Sequence, residues 1–280
     1  MWRPLARFIA SEAGLADWAS RRPLTRALYE FVRFGVKQAW ACLFGAIMLA
    51  LLLISHAAYP RGAALSRYDF LVLAALSVQA LMLATKLETW EEAKVIFLFH
   101  IVGTAMEVFK THYGSWSYPE PGVLRIGGAP LFTGFMYASV GSFIARDWRL
   151  FAFRFTRHPP MWAVQALGAA IYANFFLDHY GVDLRLALLA ASFVIFGRTW
   201  IHYRVWRVYR RMPLMLANFL TAGFVWVGEN IGTFAHAWIY PSQTDGWRMV
   251  GFAKFSSWFL LLIISYALVA LVNRPEAVER

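Results

Sequence analysis

Ile47-Met48-Leu49-Ala50-Leu51-Leu52-Leu53-Ile54-Ser55 decides the fold. The run is apolar on every side and does not alternate, so it cannot be a strand with one polar face. A membrane β-barrel needs alternating segments of about ten residues. In lipid each backbone N–H and C=O must find its partner within the segment, and an unbroken apolar run does so as a helix.

Seven further stretches resemble it. The eight lie near 38–57, 69–86, 95–110, 130–146, 162–178, 184–200, 213–232 and 251–272. Hydrophobic residues make up 60% of the chain, and the mean hydropathy is +0.50, outside the range of soluble domains. The expectation is an all-α, polytopic membrane protein with about eight transmembrane helices and no separate soluble domain.

The net charge of +11 raises a nucleic-acid reading, which its distribution opposes. With the N-terminus placed inside, 20 of the 27 Lys and Arg fall on the cytoplasmic side. Arg3, Arg7, Arg21, Arg22, Arg26, Arg33 and Lys37 precede the first span. Lys86 and Lys94, then Arg146 to Arg157, Arg198 to Arg211, and the tail with Arg274 and Arg280 supply the others. Arg61, Arg67, Lys110, Arg125, Arg185, Arg248 and Lys254 fall outside. The positive-inside rule accounts for this without a polyanion. The expected location is the bacterial inner membrane, multi-pass, with both termini cytoplasmic, membrane lipids as partners and no nucleic acid.

The expected organisation is a cytoplasmic amphipathic segment over 1–37, membrane repeat 1 over 38–146, membrane repeat 2 over 147–272 and a cytoplasmic tail over 273–280. Residues 1–37 mix Arg with Trp2, Phe8, Leu15 and Trp18, as helices lying on the membrane surface do. The lone Cys42 excludes an intramolecular disulfide and is placed in the first helix as a small apolar residue. Trp200, Tyr203, Trp206 and Tyr209 recur at helical spacing beside arginines, as in an interfacial belt.

The division into repeats rests on a duplicated motif. Glu107-Val-Phe-Lys-Thr111-His-Tyr-Gly-Ser-Trp116-Ser-Tyr118-Pro119 recurs 122 residues later as Glu229-Asn-Ile-Gly-Thr233-Phe-Ala-His-Ala-Trp238-Ile-Tyr240-Pro241. Glu, Thr, Trp, Tyr and Pro hold identical offsets without a gap, and an Arg follows each copy (Arg125, Arg248). Shifting by 122 residues lays the first, third and fourth helices on the fifth, seventh and eighth. Four helices is an even number, so the copies cross in the same sense, as parallel repeats.

Ionisable groups inside membrane helices cost about 2.5–3.5 kcal/mol and mark function by default. Glu107 and Glu229 are therefore the candidate catalytic pair. Trp116, Tyr118, Trp238, Tyr240, Thr111, Thr233, Arg125, Arg248, Lys254 and Asn218 are the candidate ligand-binding residues. An acid at a helix C-terminus opposes the macrodipole, so a compensating partner is expected among Arg125, Arg248 and Lys254. Lys110 is a further partner for Glu107 at i+3. The bland alternative is a pair of structural salt bridges anchoring the following loops.

Other chemistries are set aside. His56, His100, His112, His158, His179, His202 and His236 lack the spacing of a di-iron site. Asp178 and Asp183 are isolated, not the Asp-rich pairs of a magnesium-diphosphate site. Glu88, Glu91 and Glu92 read as the solvated start of a helix. Phosphate-loop and dinucleotide motifs are missing. No cofactor and no metal is expected.

The run from Gly103 through Glu107 to Lys110, then Gly114-Ser-Trp116-Ser-Tyr118-Pro119 and Pro130 to Ser142, resembles the YoaT-like family of uncharacterised bacterial integral membrane proteins (domain of unknown function 817). Asn218 through Gly228-Glu229-Asn230 to Trp258 resembles it too. The resemblance implies the fold class and leaves activity open. A helix ending in Glu, a Gly-x-x-x-Tyr loop and Pro-Leu opening the next helix are also similar to membrane carotenoid hydratases and related cyclases, although the loops and most helices differ.

Three functions follow from these residues. One is acid-catalysed hydration or cyclisation of an isoprenoid-like polyene, since a carboxylic acid kept neutral by apolar surroundings can donate a proton and aromatic faces stabilise a cation. The second is proton- or cation-coupled transport of a small solute. The third is a non-catalytic membrane scaffold or lipid-binding protein.

Overall fold

A computed structural model describes residues 14–278 except 20, 61 and 182. Trp2, Arg3, Arg7, Phe8, Arg61 and Arg280 lie outside the described residues, as does the first third of the expected amphipathic segment.

The chain is mostly helical. Among the described residues the long α-helices are α1 (Pro23–Ala41), α2 (Leu43–Ala58), α3 (Arg67–Ala84), α4 (Trp90–His112), α5 (Phe132–Phe151), α6 (Met161–Leu177), α7 (Arg185–Phe196), α8 (Leu214–Phe234) and α9 (Phe255–Val272). Helices occupy all eight expected stretches. By length and composition α3, α8 and α9 qualify to cross a membrane, and α1 with α2 makes a fourth if that bent pair is one span. The eight-span count therefore stays an expectation. α4 is long enough at about 34 Å, but Glu91, Glu92 and Lys94 crowd its start.

α9 is the central helix, buried along most of its length against α6, α8 and α5. α4 packs along α5, where Gly103 lies against the Tyr137 ring: a Cβ there would sit 2.7 Å from the ring. α1 and α2 meet at 63°. The break falls at Cys42, which caps one helix and starts the next rather than sitting within a helix.

Two ends of the bundle can be distinguished. At the motif end, α4 and α8 finish and α5 and α9 begin, with a short hairpin β1 (Arg125–Ile126) and β2 (Ala129–Pro130) beside them. At the sheet end, β3 (Arg154–Thr156), β4 (Trp200–Arg204) and β5 (Tyr209–Pro213) form an antiparallel sheet in the order β3-β4-β5. Phe155 also bridges in parallel to Ala277 of the tail.

This sheet corrects the helical reading of Trp200, Tyr203, Trp206 and Tyr209. α7 stops at Phe196, and the chain turns at residues 205–208, so β4 and β5 pair from Trp200↔Pro213 to Arg204↔Tyr209. Pro213 closes the ladder and opens α8.

The acidic run before α4 is not a solvated helix start. Glu88 pairs with Arg146 at 3.0 Å with both side chains fully buried. Glu92 is buried, closes a capping box with Thr89 and takes Arg149 at 2.9 Å. Only Glu91 behaves as expected, pairing with Lys94 on the surface.

Candidate functional site

The two motif copies build the same local structure. At the end of α4, the N–H groups of Tyr113, Gly114 and Ser115 bond the carbonyls of Phe109, Thr111 and Lys110. At the end of α8, Ala235, His236 and Ala237 bond Ile231, Thr233 and Gly232. The turn requires a left-handed residue, which is Gly114 (φ +68°) in one copy and His236 (φ +52°) in the other. Each chain then folds back, carrying Trp and Tyr over the last turn of its own helix.

The hydrogen bonds of the two glutamates match as well. Trp116 Nε1 donates to Glu107 Oε2 at 2.8 Å, and the Tyr118 hydroxyl donates to the same oxygen. Trp238 Nε1 donates to Glu229 Oε1 at 3.0 Å, and the Tyr240 hydroxyl donates to that oxygen at 2.5 Å. Both glutamates are buried, 4% and 6% exposed, and close enough to feel each other's charge. Burial, and next the neighbouring carboxylate, hold the Tyr118 and Tyr240 phenols well above their ordinary range, so both stay O–H donors.

The copies differ in one donor. The Tyr137 hydroxyl on α5 reaches Glu107 Oε1 at 2.7 Å, so both oxygens of Glu107 are engaged. The residue at the same offset in the second copy is Phe259, which has no hydroxyl. Among the described residues no hydrogen bond reaches Glu229 Oε2.

Indole and phenol donors, rather than ion pairs, hold the acids; of the expected cationic partners, Lys254 acts on Glu229 through its charge. Lys110 pairs with Asp178 at 2.8 Å instead of Glu107, so Asp178 is not an isolated loop residue, nor is Asp183, which pairs with Arg185 at 2.6 Å. Arg125 donates to the Glu120 and Gly128 carbonyls and stands 5.3 Å from the Tyr68 ring centre. Arg248 is exposed.

Lys254 comes closest. Its Nζ lies 3.3 Å from the Tyr240 ring centre and 5.7 Å from that of Trp116, a cation–π placement rather than an ion pair with Glu229. Burial pushes its ammonium down to about 8, opposed by Glu229. Thr233 Oγ1 donates to the Glu229 carbonyl, and Asn218 Nδ2 to the Phe259 carbonyl. Thr111 Oγ1 is buried with no hydrogen bond among the described residues.

Glu107, Glu229, Trp116, Trp238, Tyr118 and Tyr240 border one mostly apolar cavity of about 790 Å³. It runs from the motif end to the sheet end, where Gln38, Asp147 and Tyr203 line it. Ligand cavities have this character: about 300–1,000 Å³, apolar walls and a few convergent polar groups. Its wall is incomplete between α1–α2 and α8. Gly35, Ala39 and Ala46 on one side, and Leu220 and Phe224 on the other, line the cavity yet remain exposed.

Sequence reasoning missed Tyr137, Asp147 and Arg67. Arg67 is buried and ties the two motif loops together, bonding Glu120 of the first at 2.8 Å and the Ala235 carbonyl of the second at 3.1 Å. Only Gly103, which makes room for the Tyr137 ring, hinted at the first of these.

The fold and cavity define a helical membrane protein with an apolar internal chamber bordered by two carboxyls. The chain belongs to the family described as "Protein of unknown function (DUF817)", which it matches over residues 30–266. It is 45% identical to "Uncharacterized protein YoaT" of Bacillus subtilis (strain 168) over 251 residues, 90% of this chain and 94% of that protein. Among solved structures it is similar to the Insig homolog MvINS from Mycobacterium vanbaalenii, with a TM-score of 0.47 and 13% identity over 68% of this chain and 98% of that one. A cross-linked trimer of MvINS gives a TM-score of 0.45 at the same identity and coverage.

Proposed function

We propose that the cavity binds a lipid-soluble, isoprenoid-like molecule and that the Glu107–Glu229 pair performs acid–base chemistry on it. One observation supports this reading: two buried carboxyls, each held by an indole and a phenol, border an apolar chamber with a gap in its wall.

Their roles follow from their hydrogen bonds. Glu229, with Oε2 free, delivers its proton to a substrate double bond. The cation that forms lies against Trp116, Trp238 and Tyr240, whose π faces stabilise it. Glu107, accepting three hydrogen bonds as suits a carboxylate, supplies negative charge opposite the cation. Loss of a proton from a neighbouring carbon, or from an attacking water, returns the proton to Glu229 and closes the cycle.

The two copies are read as products of a duplication, with halves 38–146 and 147–272 related by an axis along the membrane normal. The basic sheet end then faces the cytoplasm. Thiol labelling of single cysteines placed at Asp245 and Arg207 tests this orientation; labelling of both from one side would refute it.

The chemical test compares host membranes carrying the wild type, Glu229→Gln or no copy of the protein. The expected result is an altered isoprenoid profile with the wild type and a control-like profile with Glu229→Gln. Identical profiles in all three would remove the reaction.

A second reading, proton- or cation-coupled transport, draws on the reach of the cavity from Glu229 to Asp147. Solute-dependent proton flux in liposomes, abolished by Glu229→Gln, would favour it over catalysis.

A further inference from the structure

The sheet end of the cavity holds a second polar cluster that the chemistry at Glu229 does not use. Asp147 lies on α5, is 7% exposed and lines the cavity. Gln38 Nε2 donates to its Oδ2 at 3.1 Å. Its Oδ1 is buried with no hydrogen bond among the described residues. A buried carboxylate oxygen without a donor is unfavourable unless something completes it. Lys37 does not do so: its Nζ donates to the Leu150 and Arg204 carbonyls at 2.6 and 2.9 Å.

We propose that Asp147 and Gln38 form a head-group subsite for a single-chain amphiphile with a neutral hydroxyl head, its chain extending toward Glu229. This rests on the reading that the cavity takes a lipid-soluble molecule, and not on any reaction at Glu229.

The surroundings select the head. Lys37, Arg33 and Arg204 make the neighbourhood cationic, which repels an ammonium head. A phosphate or carboxylate head, although the cations attract it, is acceptor-only when ionised and brings no donor to Oδ1. A hydroxyl adds no charge and donates one hydrogen bond, which is what Oδ1 lacks.

The cavity sets the length. Tyr137, bonded to Glu107, and Asp147 stand ten residues apart on α5, about 15 Å along its axis. That is about half the ~30 Å hydrocarbon core of a bilayer, the depth of one leaflet. The mouth sets the route. Phe31, Leu220 and Phe224 line the cavity and are 73%, 52% and 78% exposed, so they form a rim open to the side. An amphiphile can pass there from the bilayer with its head leading at the sheet end.

The test uses the full chain in nanodiscs and a diazirine-tagged dodecanol as photolabel, with dodecanol and methoxydodecane as competitors. The alcohol donates a hydrogen bond; the ether of the same chain does not. Dodecanol should suppress labelling of cavity peptides about tenfold better than the ether, the usual worth of one buried hydrogen bond. In Asp147→Asn the amide donates to either oxygen, so that preference should collapse toward parity. In Glu229→Gln it should persist. Equal competition in the wild type, or a preference that survives Asp147→Asn, overturns the subsite while cavity labelling keeps the lipid-binding reading intact. No labelling of the cavity overturns both.

Discussion

Ser117 and Ile239 exchange two backbone hydrogen bonds, of 2.9 and 3.0 Å, as an isolated antiparallel bridge. Each residue stands between the Trp and the Tyr of its own motif copy. An antiparallel bridge has local two-fold symmetry, so the equivalent positions of the two copies meet on one local axis. The aromatic rings that hold the two glutamates are thereby locked together, and Trp116 packs edge-on against Tyr240 across the bridge.

Gly232 should not tolerate a side chain. A Cβ there would approach the Trp238 ring to 2.1 Å, and Trp238 holds Glu229. Gly232→Ala is expected to cost about 1–3 kcal/mol as an overpacked site. Thermal unfolding in detergent should report the loss, and tryptophan fluorescence should show the displaced indole.

Tyr137→Phe removes the donor that distinguishes the two glutamates. The unpaired Glu107 Oε1 should cost about 1–3 kcal/mol. Phe259→Tyr is not its mirror image, because Phe259 stacks on Phe193 and packs in the core. Under the proposed roles, Tyr137→Phe lowers activity less than Glu229→Gln does, which a paired lipid assay would decide.

How much of this was legible depended on the kind of signal. Apolar runs such as Ile47 to Ser55 specify helices through backbone satisfaction alone, and all eight stretches contain one. The spacing from Glu to Trp and Tyr marked the candidate site. It did not give the back-folding that turns spacing into hydrogen bonds, which needs the left-handed turn at Gly114 and His236. Asp147 was hidden because it sits among arginines and reads as a flanking charge. The β4–β5 hairpin was hidden because its aromatics fall every third residue, although residues 205–208 form its turn.

Lys254 gives a pH signature. Its folded-state ammonium titrates at about 8, against 10.5 unfolded. Between those values the unfolded chain binds more protons, so stability rises with pH. Below about pH 8 the burial penalty of Lys254 is fully present and its contribution is flat. Unfolding followed from pH 7 to 10.5 should show this rise in the wild type and a smaller one in Lys254→Met; equal slopes would contradict the assignment.

The Glu88–Arg146 pair should be costly to break and cheap to replace. Both side chains are fully buried, and Arg146 also bonds the Trp40 carbonyl at the end of α1. Removing one partner strands a charge, so Arg146→Met should cost about 3–5 kcal/mol. The double variant Arg146→Met/Glu88→Leu should recover much of that, as melting of the three proteins can establish.

The bridge from Phe155 to the tail has its own consequence. The N–H of Phe155 bonds the Glu276 carbonyl, and the N–H of Val278 bonds the Phe155 carbonyl, so the tail hems the free edge of a sheet whose other strands brace α1 through Lys37 and Glu30. Proteolytic nicking between Asn273 and Glu276 would unpick that hem from below. Protection of this short stretch against protease therefore offers a gauge of whether that sheet edge is closed.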